Sequence, residues 1–410
     1  MRPTHRVSAS CGYASAVGMT NVSHGNGPNE GILPLQNLYV CGSSEDGRCG
    51  WEGGAAYIDC LTPVDLARAT YLEPVSSTDS LVCEMASCGG RHSLLLVQDT
   101  RGDDDQGARR RVLLVGLNQL GLCEEPGEPT PVEVKCEKES FPKDEPVSVE
   151  AGNGASFILT RRGTLLSFGN GNQGRLGHES GESISEPRVI RALAKRIVKT
   201  VSAGDGHAMA LTQESLLFGW GHNHRGQVGV GDQSDVVYEP TLVSRFAPNE
   251  APIAVRCGDL FSVAAVRIIS EIDKKEVVEL FGWGDNAHGQ LGPDVEELSQ
   301  YPAVNKELTR FLKKQLMRVH AVSAGGAHVL LLTSPRGQIV SWGASNYGQL
   351  GHGFLWDEPL PRIIGGIADV VAVSAGKRHS MCIRRHPGEI DVREVFGWGY
   401  NAYGELGNLR

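Results

Sequence analysis

The side chains best suited to chemistry in this sequence are four histidines that recur in one setting. His92, His207, His328 and His379 each stand three residues past a glycine, in Gly-Gly-Arg-His, Gly-Asp-Gly-His, Gly-Gly-Ala-His and Gly-Lys-Arg-His. Imidazole moves protons and binds metals near neutral pH. A proton-transfer site needs its imidazole in one place, so a fourfold recurrence points to packing and turn formation. The ten cysteines include no Cys-x-x-Cys pair, and Cys83 and Cys88 lack nearby histidines to complete a zinc site. Reduced, mostly buried thiols are expected, with no metal and no cofactor. No Ser-His-Asp arrangement and no phosphate-binding loop stands out, so no catalytic residue is named and the chain does not read as an enzyme.

Two charge blocks and one helix are the candidate partner-binding features. Asp103-Asp104-Asp105 precedes Arg109-Arg110-Arg111. An arginine triplet can meet phosphate or an acidic partner, whereas adjacent acids suggest a self-neutralised, solvated loop. Residues 306–317 carry Leu308, Phe311, Leu312 and Leu316 at helical spacing, which predicts a short amphipathic helix with Lys313 and Lys314 beside Phe311. The net charge of −9 argues against nucleic acid as a partner, since phosphate binding needs clustered Lys and Arg. No apolar run is long enough to span a membrane.

What must position these residues is a repeat. Gly169-x4-Gly174, Gly221-x4-Gly226, Gly284-x4-Gly289, Gly343-x4-Gly348 and Gly399-x4-Gly404 share one spacing, and Gly42 and Gly116 open two diverged copies. Trp220, Trp283, Trp342 and Trp398 precede the glycine, with Phe168, Cys41 and Val115 at that place elsewhere. A second motif alternates with it, cleanest in Val201-Ser-Ala-Gly204, Val322-Ser-Ala-Gly325 and Val373-Ser-Ala-Gly376. Each unit reads as four short strands. Proline opens the fourth, as at Pro187, Pro240 and Pro361, because it tolerates only a strand's first residue or an edge. Four-stranded units repeated around an axis make a propeller.

Trp-Gly-x-Asn-x-x-Gly-Gln-Leu-Gly alternating with Val-Ser-Ala-Gly-x-x-His resembles the regulator of chromosome condensation repeat family. The resemblance implies an all-β fold over residues 1–410: a seven-bladed propeller of four-stranded blades. Blade one is placed at about 7–66, blade two at about 84–134, and blades three to seven at about 147–410. It also implies a ring closed by pairing of N- and C-terminal strands, with Pro3 to Val7 supplying the strand the last unit lacks. The recurrent Gly, His and Trp residues then read as structural.

The family's founding member is a nucleotide-exchange factor for the small GTPase Ran; its exchange relies on a β-wedge and its chromatin binding on a basic tail. Uniform spacing between the aromatic-Gly and Leu-Gly pairs leaves no wedge at that place, and blade one begins almost at once, near Val7. The family's ultraviolet-B photoreceptors carry tryptophan where this sequence has Lys377 and Gly90. The favoured reading is therefore a monomeric protein-interaction platform. Its partner, a small GTPase or a large assembly, would meet insertion loops at 20–36, 101–111, 270–276 and 384–391 on one face. Exchange activity toward a Ran-like GTPase is the alternative. A cytoplasmic setting is expected, with cytoskeletal, ciliary and nuclear placements open. The first 29 residues, with Arg2, Arg6 and no acid, also resemble a mitochondrial leader.

Overall fold

A computed structural model describes residues 8–11, 15–19, 38–43, 57–63, 81–99, 109–116, 132–134, 144–231, 234–270, 274–386 and 393–407. They form seven antiparallel sheets, six with four strands and one with three, each a simple meander in chain order. The first holds β1 (Ser8–Cys11), β2 (Ser15–Met19), β3 (Leu38–Ser43) and β4 (Tyr57–Pro63). The second holds β5 (Leu81–Cys88), β6 (His92–Asp99), β7 (Arg109–Gly116) and β8 (Val132–Glu133). The third holds β9 (Pro146–Ala151), β10 (Ala155–Thr160), β11 (Leu165–Gly169) and β12 (Ile184–Val189). The fourth holds β13 (Val198–Ala203), β14 (His207–Thr212), β15 (Leu217–His222) and β16 (Val236–Leu242). The fifth holds β17 (Glu250–Cys257), β18 (Phe261–Ile269), β19 (Glu276–Asp285) and β20 (Leu298–Val304). Helix α1 (Lys306–Gln315) leads to the sixth: β21 (Arg318–Ala324), β22 (His328–Ser334), β23 (Ile339–Gly343) and β24 (Glu358–Ile363). The seventh holds β25 (Val370–Ala375), β26 (His379–Arg385) and β27 (Arg393–Gly399). The strand expected from Pro3–Val7 lies outside the described residues.

The burial pattern explains the stacking. A second strand such as β22 is buried on both faces, because a neighbouring sheet packs on each side. Each cluster of core side chains lies between two successive sheets. Phe157, Leu165 and Trp220 fill the seam between the third and fourth; Leu211, Val255 and Trp283 fill the next. Leu280, Leu308, Leu331 and Trp342 fill the seam between the fifth and sixth. Burying one face of a sheet takes another sheet, so successive units share their core.

Proline does not open the fourth strands. Pro187, Pro240 and Pro361 lie inside β12, β16 and β24, where the register with the third strand slips. At that bulge the outer strand has a residue left out of the ladder, so a residue without N–H forfeits nothing.

Helix α1 is shorter than its apolar stripe. Asn305 caps it by accepting from the Leu308 N–H at 2.8 Å, and Leu308 and Leu312 are buried. Phe311 packs on the same cluster at half burial. Leu316 falls outside the helix, in the left-handed region at φ 56°, and is 86% exposed. Lys313 comes within 3.8 Å of Glu279, and Lys314 is exposed.

Candidate functional site

The repeated histidines connect neighbouring sheets. Nε2 of His92, His207 and His328 lies 2.9, 2.8 and 2.9 Å from the hydroxyls of Ser156, Ser262 and Ser380 on the next sheet. Ser262 and Ser380 donate in turn to the carbonyls of Gln227 and Gln349, each at 2.8 Å. A serine that donates its one proton must accept from imidazole, so His207 and His328 carry their proton on Nε2. Burial holds all four neutral: His92 and His379 are pushed down to about 4, and His207 and His328 to about 3. The fourth, His379, has no partner at either ring nitrogen among the described residues. By the repeat its partner would be the residue after Ser15, which is Ala16 and carries no hydroxyl.

The tryptophans point the other way around the stack. Trp220, Trp283, Trp342 and Trp398 donate from Nε1 to the carbonyls of Arg175, Gln227, Gln290 and Gln349 on the preceding sheet, at 2.9 to 3.0 Å. Gly169, Gly221, Gly284, Gly343 and Gly399 have φ between 98° and 111°, while Gly174, Gly226, Gly289, Gly348 and Gly404 have φ between 68° and 79°. A side chain at Gly343 would meet the Ala327 carbonyl at 2.6 Å, so that position needs glycine for space as well as for φ.

The charge block is divided. Asp103, Asp104 and Asp105 lie outside the described residues. Arg109, Arg110 and Arg111 are not loop residues: they open β7, opposite Asp99, Gln98 and Val97. Arg110 grips Glu84 with Nε at 2.5 Å and Nη2 at 3.0 Å, and lies 3.6 Å from Glu145 ahead of β9. The Glu84 carboxylate is the main reason its guanidinium is pushed above its ordinary range. Arg111 pairs with Glu133 at 3.2 Å. These two arginines brace strands. The connections singled out in the sequence do join second to third strands, at one end of the sheets, although residues 20–37, 100–108, 271–273 and 387–392 lie outside the described set.

At the opposite end, the connections between third and fourth strands carry a surface that sequence reasoning missed. Leu355 and Trp356 are 66% and 65% exposed; Leu360, Tyr403 and Tyr347 are also exposed. Trp356 stacks on Phe354 at 4.3 Å between centroids, and the Arg362 guanidinium lies over the same Phe354 ring at 5.3 Å. Tyr347 meets Tyr400 edge-on at 5.0 Å, and exposed Arg378 lies 4.9 and 5.8 Å from these two rings. The surface spans the sixth and seventh sheets. Trp356 and the three tyrosines occupy turn positions that vary among the repeats, so the repeat template gave no signal for their exposure.

First strands of six of the sheets line a channel with a cavity of about 470 Å³. Its wall carries Ser87, Glu150, Ser202, Arg256, Ser323 and Ser374 at the position two before the turn glycine, with Asp259 and Lys377 paired at 3.4 Å just past it. Burial pushes the Glu150 carboxyl up, opposed by the Arg256 charge and by hydrogen bonds from Ala203, Ser87 and Ser202. No cluster of metal-ligating side chains occurs among the described residues, and no described helix is long and apolar enough to cross a membrane.

A family model described as RCC1-like domain matches residues 37–410. Among curated proteins, the chain is 28% identical over 264 residues to the human E3 ubiquitin-protein ligase HERC2, covering 64% of this chain and 5% of that protein. It is 31% identical over 228 residues to human Protein RCC2, covering 51% and 41%, and 26% identical over 335 residues to the Arabidopsis thaliana ultraviolet-B receptor UVR8, covering 78% and 66%. The chain thus spans well under half of HERC2 and RCC2. The crystal structure of human WBSCR16 superposes with a TM-score of 0.73 at 22% identity, over 94% of this chain and 89% of that one. Saccharomyces cerevisiae Prp20p, whose structure was described with its binding to Gsp1p and histones, gives 0.68 at 18%, over 90% and 82%. These two likenesses concern the fold.

Proposed function

Because the chain belongs to the RCC1-like domain family, we propose that it is a protein-docking propeller whose contact surface is the aromatic and arginine patch on the sixth and seventh sheets. The observation that carries this reading is Trp356, Leu355, Tyr347 and Tyr403 held exposed together with Arg378 and Arg362. Tyr, Trp and Arg are the residues over-represented at binding hot spots, since they bury large areas with few rotatable bonds. On this reading the recurrent glycines, histidines and tryptophans are structural and the protein is not an enzyme.

The seven sheets are read as seven blades of a closed ring. Cys41 stands at the tryptophan position of the first sheet, and its Sγ lies 3.2 Å from the Glu405 carbonyl of the last repeat. That contact repeats the step by which each tryptophan reaches the preceding sheet. β1 also packs against β25 and β26 on one side and β5 on the other. A strand from Pro3–Val7 would then complete the seventh sheet along β27.

Exchange activity toward a small GTPase is the second reading, supported by the likeness to Prp20p. Nucleotide release from Ran-like GTPases separates the two. The docking reading expects the uncatalysed rate with this protein present, and partner retention that is lost in a Trp356→Ala, Tyr403→Ala double variant. Acceleration of release by a hundredfold or more would replace it with the exchange reading.

A further inference from the structure

We propose that the channel lined by the first strands binds a small oxyanion, of the phosphate or carboxylate class, between the Arg256 guanidinium and the backbone N–H of Ala324. The inference is independent of the docking surface and rests on a rule that the channel wall keeps at four seams and breaks at one. The side-chain oxygen two before the turn glycine accepts an amide from the next sheet. Ser87 Oγ takes the Ala151 N–H at 2.9 Å, and Glu150 Oε1 takes that of Ala203 at 3.3 Å. Ser202 Oγ takes the Cys257 N–H at 3.1 Å, and Ser323 Oγ takes that of Ala375 at 2.9 Å. These amides belong to first strands, whose ladder lies on the other side, so the neighbouring side chain is their acceptor.

In the fifth sheet the same position is Arg256. Guanidinium has five N–H donors and no acceptor. Its Nη1 donates to the Val255 carbonyl at 2.7 Å, which occupies one of them. The equivalent amide on the sixth sheet, that of Ala324, therefore faces a donor where four other amides face an oxygen. Among the described residues no carboxylate lies within ion-pairing distance of Arg256. Glu150, one sheet further round than Ser202, is hydrogen-bonded by Ala203, Ser87 and Ser202 and feels the Arg256 charge only from beyond ion-pairing distance. Asp259 is held by Lys377. The Ser323 hydroxyl, having accepted from Ala375, keeps its own proton to donate. Guanidinium, amide and hydroxyl are thus three donors on one stretch of wall, in a cavity of about 470 Å³ with room for an ion and several waters. Convergent N–H groups beside an arginine are what a tetrahedral or planar oxyanion requires.

The test is calorimetric titration of the full chain with sodium phosphate and, separately, sodium acetate at constant ionic strength. Arg256→Ser restores the oxygen present at other seams, so it should fold with a Tm at least equal to the parent protein's and bind at least tenfold more weakly. Arg256→Gln, which keeps side-chain length, should lose binding equally and guards against repacking in the serine variant. Saturable binding of phosphate alone assigns the phosphate class, and binding of both anions assigns oxyanions generally. If neither anion saturates the parent protein, or if both variants bind with unchanged affinity, the proposal is wrong.

Discussion

His328 is fully buried and neutral, bonded through Nε2 to a serine on the next sheet. A histidine whose folded pKa is depressed adds no pH dependence to stability near neutrality, where both states are neutral. As pH falls below about 6.5 the unfolded chain binds the proton first, so stability declines down to the folded value of about 3. Each such histidine contributes a slope of about 1.4 kcal/mol per pH unit in that window. Denaturant unfolding of the parent protein and His328→Gln at pH 7, 5.5 and 4.5 should show the gap between them narrowing on acidification. A gap independent of pH would mean that His328 titrates in the fold as it does in the unfolded chain, and a widening gap that it is protonated in the fold. Trp342 is fully buried too, and Trp342→Ala should cost about 3–5 kcal/mol by cavity formation and loss of its bond to Gln290. A loss below about 1 kcal/mol would argue against its place in the seam.

At the scale of elements, helix α1 offers a stabilising change. Leu316 holds a left-handed conformation, which costs a side-chain-bearing residue roughly 1 kcal/mol, and it buries almost nothing. Leu316→Gly should raise stability by about 0.5–1 kcal/mol, read as a shift in the unfolding midpoint. A lower midpoint would show that Leu316 makes contacts worth more than its strain. The helix was legible in the sequence from its i, i+3, i+4 spacing, but its end was not, because spacing carries no information about φ. The third-strand glycines and aromatic residues were legible because each position recurs. Arg109–Arg111 were misplaced for the opposite reason: a unique, highly charged block resembles a loop, and the acids that neutralise it, Glu84 and Glu133, lie on other strands. The fourth-strand prolines were assigned to the correct strand but to its start, since a bulge is a property of the pair and not of one strand.

For the whole molecule, repeat counting carried the architecture and could not carry the surface. Exposure of Trp356 and Tyr403 depends on what the neighbouring sheet leaves uncovered, which no single repeat encodes. The closed-ring reading adds a prediction at this scale. Deleting residues 1–7 should lower the Tm by several degrees and speed amide exchange in Arg393–Gly399, whose outer edge would lose its partner strand. Unchanged exchange there would leave the seventh sheet three-stranded.

The docking claim is tested most directly by placing a photo-crosslinking residue at Tyr403 and, separately, at Lys314, and irradiating living cells. The account predicts a discrete protein adduct from position 403 that disappears when Trp356→Ala is added, and no such adduct from position 314. Equal adducts from both positions, or an adduct from 314 alone, would contradict it.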